Sequence, residues 1–154
     1  MIIRPATLAD LEDVVSIAID QSLVWFPRLA AERVKISRTA VAAISSKQHF
    51  CWVAEDEGKV QGVLVGLTGD NLWASGQHTS IVLWVSKIPN GGAALLRRFK
   101  KWLQARKAIV LAGMTPDRDI DQRALRLLER IGFLRSGGSY LLFTRGETWD
   151  CSTR

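Results

Sequence analysis

Two adjacent glycines, Gly91 and Gly92, lie in the segment SKIPNGG, between an apolar run (Thr79 to Val85, TSIVLWV) and a stretch whose apolar residues recur at helical spacing. A chain that turns from a strand through glycine into a helix leaves the first helical N–H groups without intrahelical partners. Those groups, helped by the helix dipole, can converge on an anion such as a phosphate. Ala93 and Ala94 keep the first turn small. The same residues also read as an ordinary strand-to-helix turn, for which glycine is a common choice.

Proton transfer has fewer candidates. His78, at the edge of the apolar run, is the best-placed base because an imidazole titrates near neutrality; the plainer reading of it is an exposed loop histidine. Glu55 and Tyr140 are weaker candidates, since a strand-end carboxylate is usually solvated and a strand tyrosine usually packs, and His49 falls at a helix end. Two histidines and two distant cysteines give no metal-ligand spacing. No serine stands in a nucleophile-elbow motif.

The elements that must hold these residues follow from periodicity and punctuation. Met1 to Arg4 is a short strand closed by Pro5, and Thr7 with Asp10 forms a Thr-x-x-Asp capping signal for a helix running to about Ser22. Trp25, Phe26 and Pro27 break the chain before a second helix, about Ala30 to Ser46. Phe50 to Glu55 and Val60 to Thr68 predict an antiparallel hairpin reversing at Asp56-Glu57-Gly58-Lys59, and Gly69-Asp70-Asn71 turns the chain into the central strand at Thr79. Ala93 to about Arg106 is a strongly amphipathic helix with Leu95, Leu96, Phe99, Trp102 and Leu103 on one face. Ala108 to Ala112 predicts a buried parallel strand and Ile120 to Ile131 a helix. Phe133 to Arg135 with Ser139 to Arg145 predict a closing strand pair.

A chain of 154 residues with 47% apolar content and no linker or repeat predicts one α/β domain, residues 1–146, with a loose tail over 147–154. No apolar run approaches the roughly 20 residues that cross a bilayer, and the acidic N-terminus does not resemble a signal peptide. A cytoplasmic protein is expected, with Cys51 and Cys151 as free thiols. The net charge of +6 allows a nucleic acid, an acidic protein or a phosphorylated cofactor as partner. Basic residues are spread along the sequence and no nucleic-acid-binding motif is present, which favours a phosphate-bearing small ligand over nucleic acid. Arg97, Arg98, Lys100 and Lys101 can reach such a ligand or an acidic partner, or simply form a solvated helix face.

The order of elements from Ile2 to about Arg145 resembles that of the GNAT N-acyltransferase superfamily. Lys87 and Gly92 align with the ends of its Arg/Gln-x-x-Gly-x-Gly/Ala signature, and Asn90-Gly91-Gly92-Ala93-Ala94 fits a reduced Gly-Gly-x-Ala form. The segment Ala124 to Phe133, ALRLLERIGF, is similar to the family's Ala-x-x-Leu-Tyr-x-x-x-Gly-Phe ending of the last helix. IIRPAT at the start and VAEDEGKVQGVL in the hairpin are further family-like phrases. Reduced loops of this kind also resemble those of phage-encoded GNAT-like proteins.

The resemblance implies a mixed central sheet flanked by helices, in the order β-α-α-β-β-β-α-β-α-β-β, with acetyl-CoA as cosubstrate. Its pantetheine arm would lie beside the backbone of Leu83, Trp84 and Val85, where the central strand splays from the strand at Ala108. Its pyrophosphate would lie on Gly91, Gly92, Ala93 and Ala94, with Lys87 and Asn90 beside it. Trp84 reads either as a cofactor wall or as core. Two positions depart from the family: Leu128 replaces the tyrosine that protonates the leaving thiolate, and Asp121 replaces a helix-start asparagine.

Two functions from different classes follow. One is transfer of an acetyl group from acetyl-CoA to a primary amine on a small molecule or a protein, with His78 or water taking the proton. The other is a non-catalytic CoA-binding or structural module, which the missing tyrosine and short loop favour. In this fold the first two helices and the closing strands build the acceptor pocket, and either a monomer or a homodimer is compatible with the sequence.

Overall fold

The computed structural model describes residues 1–25, 30–70, 77–106, 110–112, 122–136 and 139–142. Strand β1 (Ile2–Pro5) leads through a 3-10 turn at Leu8–Asp10 into α1 (Leu11–Trp25) and α2 (Arg33–Ser45). Strands β2 (Phe50–Asp56), β3 (Lys59–Asp70) and β4 (Gln77–Ser86) follow, then α3 (Gly91–Ala105). The chain continues with β5 (Val110–Ala112), α4 (Gln122–Ile131), β6 (Leu134–Ser136) and β7 (Ser139–Leu142). The element order is the one the sequence predicts.

The capping signal at Thr7 is satisfied in full. The Asp10 carboxylate accepts the Thr7 N–H at 2.8 Å and its hydroxyl at 2.9 Å, while Arg4 donates to both carboxylate oxygens at 2.8 Å. Arg4 also reaches Glu55 on β2, so one guanidinium ties the first strand, the helix entry and the hairpin together. The β2–β3 reversal places Glu57 and Gly58 both at positive φ, 50° and 74°, the two-residue turn whose twist suits a hairpin.

Two corrections concern the sheet. The described strands form two antiparallel sheets, β1-β2-β3-β4 and β5-β7-β6, instead of one mixed sheet. Strand β5 begins at Val110 and its described pairing is antiparallel, with β7, where a parallel strand is expected; it lies beside β4, and no ladder joins the two among the described residues. Element ends also shift. The first helix is interrupted by the 3-10 turn and reaches Trp25, α2 starts at Arg33, and β4 extends back to Gln77 because His78 pairs opposite Gly69.

The four-stranded sheet separates two apolar cores. Val14, Val15 and Ile17 of α1 and Ala40 and Ala43 of α2 pack with Cys51, Val53, Val63, Val65 and Leu83 on one face. On the other, Leu95, Leu96, Phe99 and Leu103 of α3 and Leu128 and Ile131 of α4 pack with Phe50, Ala54, Leu64 and Ile81. Alternation along β2 and β3 supplies both faces at once, which is why these strands read as unbroken apolar runs.

Candidate cofactor site at the end of β4 and the start of α3

Strand β4 carries a feature that periodicity did not reveal. Val65 pairs with Leu83 but Gly66 with Ile81, so Val82 is an extra, unpaired residue. A bulge of this kind adds one residue to the strand and reverses the side-chain alternation beyond it. Ile81 accordingly packs on the α3 face and Leu83 on the α1 face; Trp84 returns to the α3 side and Val85 to the α1 side. Strand β5 lies beside β4 and no ladder joins them among the described residues, so backbone N–H and C=O groups on that edge of β4 are open to an amide-bearing chain.

The turn after Ser86 is held by its own side chain. The Ser86 hydroxyl donates to the Ile88 carbonyl at 3.1 Å and accepts the Ile88 N–H at 3.2 Å, and the Lys87 N–H donates to Gln61 at 2.9 Å. Asn90 then takes the left-handed conformation, φ 62°, which asparagine tolerates better than most side chains. Helix α3 therefore opens at Gly91, two residues earlier than the apolar pattern suggests. The Gly91 N–H donates to Ile88 and the Ala94 N–H to Asn90, both at 3.0 Å. Among the described residues the N–H groups of Gly92 and Ala93 have no partner, which is the donor pair expected at an anion-binding helix start.

The glycines do more than clear space for a phosphate. A Cβ on Gly91 would lie 2.3 Å from Ser86 Oγ, and one on Gly92 would lie 3.3 Å from Trp84 Nε1. The Trp84 indole N–H donates to the Gly92 carbonyl at 3.0 Å. Both glycines thus let the helix start press against the end of β4, and Trp84 belongs partly to the α3 core and partly to this junction. Lys87 and Asn90 are exposed beside it.

The remaining candidates fall elsewhere. His78 sits at the beginning of β4, its ring over Gly69, four residues and about 13 Å of strand before the bulge. His49 accepts the Thr68 N–H through Nδ1 at 3.1 Å, a structural bond from the residue before β2 to β3. Glu55 is engaged by Arg4. Leu128 is 1% exposed, inside the core under α4. Cys51 is unpaired and buried, and burial pushes its thiol up to about 12, toward the protonated form. Asp121 and Cys151 lie outside the described residues, and of Tyr140 only the pairing of its strand is described. Among the described residues no group of acids, histidines and cysteines has metal-binding geometry. A shallow depression of about 400 Å³ between Asp13, Lys59, Gln61 and Lys87 opens on the α1 side and does not include the glycine turn.

No protein-family profile and no curated protein matches the sequence. Solved structures do match its shape. The ribosomal-protein-alanine N-acetyltransferase of Brucella melitensis is 20% identical, with a TM-score of 0.69 over 92% of this chain and 94% of that one. A predicted acetyltransferase of Clostridium acetobutylicum, solved with acetyl-CoA, is 13% identical, with a TM-score of 0.69 over 88% and 91%. An acetyltransferase of the GNAT family from Streptococcus pneumoniae is 17% identical, with a TM-score of 0.60 over 88% and 86%. The chain has the GNAT fold.

Proposed function

We propose that the chain is an N-acetyltransferase that moves the acetyl group of acetyl-CoA to a primary amine of a small molecule or a protein. One observation carries this reading: the bulged, unladdered edge of β4 runs directly into a helix start whose Gly92 and Ala93 N–H groups are free among the described residues. The edge around Leu83, Trp84 and Val85 suits the amide-bearing pantetheine arm, and Gly91 to Ala94, with Lys87 and Asn90 beside them, suit the pyrophosphate. Asp121 completes the proposed cofactor-binding set. The solved Clostridium relative with acetyl-CoA supports the choice of cosubstrate.

An amine attacking a thioester must lose a proton, and the departing thiolate must gain one or leave as the anion. His78 is the proposed acceptor of the first proton; with about 13 Å of strand between it and the bulge, it would act across water. Leu128 supplies no proton to the thiolate, whose modest basicity lets it leave with help from water. The amine is proposed to enter from the α1–α2 side. Unpaired, buried Cys51 fits a reducing, cytoplasmic setting, and no helix among the described residues is long and apolar enough to cross a membrane.

A second reading, a CoA-binding module without turnover, is favoured by the burial of Leu128, which leaves the tyrosine acid of the family without a counterpart there. Calorimetry with acetyl-CoA, followed by a thiol-release assay across a panel of amines, separates the two. Binding with amine-dependent thiol release supports the transferase, binding without release supports the module, and no binding overturns both.

A further inference from the structure

The fold gathers positive charge that looks dispersed in the sequence. Helix α3 and its terminal Arg106 carry five basic residues and no acidic one, and α4 carries three against one. That surplus of seven exceeds the net charge of +6 of the whole chain. Both helices pack on the same face of the sheet, through one core, and Lys100 of α3 donates to the Ile131 carbonyl at the end of α4.

Lys100 and Arg106 are used by the structure: Arg106 lies 4.0 Å over the Trp102 ring and donates to the Lys47 and Gln48 carbonyls. Arg98 lies 5.8 Å over the Trp52 ring. Arg97, Arg98, Lys101, Arg126 and Arg130 are all exposed, and among the described residues none pairs with a carboxylate. Arg97 with Lys101, and Arg126 with Arg130, stand at i, i+4, where like charges repel along a helix. Lys101 lies ten residues past Gly91, about 15 Å along α3, beyond the reach of a pyrophosphate at the glycine turn.

We propose that this α3–α4 surface binds nucleic acid through the phosphate backbone, without reading sequence. A duplex presents one negative charge per about 1.7 Å of axis, a density that occupies several of these cations at once. A membrane fits less well. An interfacial helix needs exposed apolar residues to insert, and no large exposed apolar residue of the described chain lies on α3 or α4. The rings beside these cations, Trp52 and Trp102, are half-buried and already covered by Arg98 and Arg106, so binding rests on phosphate contacts, which carry no sequence information.

The test uses the full chain with fluorescent 20-nucleotide RNA and DNA of random sequence, single-stranded and duplex, read by anisotropy at 50 and 200 mM salt. Five contacts predict a loss of about 10²- to 10³-fold in duplex affinity between those salts. The Arg97→Gln/Lys101→Gln/Arg126→Gln protein is expected to bind at least tenfold more weakly with a shallower salt slope. The Lys35→Gln/Arg38→Gln/Lys47→Gln protein, equal in net charge, is expected to bind as the parent does. Circular dichroism checks that both remain folded. No binding by the parent at 50 mM salt overturns the proposal. So does an equal loss in both triple variants, which would assign the effect to net charge, and so does tighter binding to anionic phosphatidylserine vesicles than to any oligonucleotide. Oligonucleotide binding needs no acetyl-CoA, so this result is independent of the transferase assay.

Discussion

The Cβ that any other residue would carry at position 91 falls 2.3 Å from the Ser86 hydroxyl oxygen, so Gly91 and Ser86 together set how closely α3 approaches the end of β4. Ser86 cannot simply rotate away, because its hydroxyl holds both the N–H and the carbonyl of Ile88. Gly91→Ala is expected to cost about 1–3 kcal/mol through overpacking and to weaken acetyl-CoA binding by displacing the Gly92 and Ala93 donors. Adding Ser86→Gly should recover part of the stability in urea unfolding. An alanine variant with parental stability and affinity would show that the junction has slack.

Deleting Val82 removes the bulge while leaving the pairs Gly66–Ile81 and Val65–Leu83 in register, so every following side chain of β4 keeps its face. Leu83 stays in the α1 core and Trp84 keeps its bond to Gly92. The deletion is expected to leave cooperative unfolding in place and to weaken acetyl-CoA binding by straightening the edge of β4. A folded protein that binds as the parent does would mean that the bulge is dispensable.

Arg4, together with the Thr7 N–H and hydroxyl, holds the Asp10 carboxyl well below the usual carboxylate range. Because the folded-state pKa lies below the unfolded value of about 3.9, this contribution is complete above roughly pH 4 and is lost as the pH falls toward the folded pKa. Asp10→Asn should cost on the order of 2 kcal/mol near neutrality and flatten the acid limb of stability against pH. An unchanged acid limb in the variant would assign acid unfolding to other groups.

Leu128 is 1% exposed and packs in the core with Phe99 and Phe133. Leu128→Tyr must therefore bury a larger side chain and its hydroxyl. A loss of about 1–3 kcal/mol is expected, with no gain in thiol release. A stable variant with faster release would show that this position faces the cofactor.

His78→Ala tests the proposed base. Where His78 takes the amine proton, the variant loses the rise of rate with pH seen at saturating amine, typically a 10²- to 10⁴-fold effect. The same profile and rate in the variant would assign the proton to water. An amine's own deprotonation can mimic the rise in the parent, so the comparison between the two proteins is what decides.

Much was legible in the sequence because it is local. The Thr7–Asp10 cap, the Asp56 to Lys59 reversal and the amphipathic face of α3 are each written within one or two turns of chain, and the order of those elements suffices for the fold class. The glycine turn was likewise visible as residue types in a row. What the sequence could not contain was decided by neighbours distant in the chain. The bulge at Val82 exists only in the register with β3. Gly92 owes its small size to Trp84 as much as to any ligand. Spacing alone left Glu55 as a candidate, and only the tertiary structure brings Arg4 against it. The basic residues of α3 and α4, separated in sequence, became one surface because a single apolar core holds both helices on the same face of the sheet.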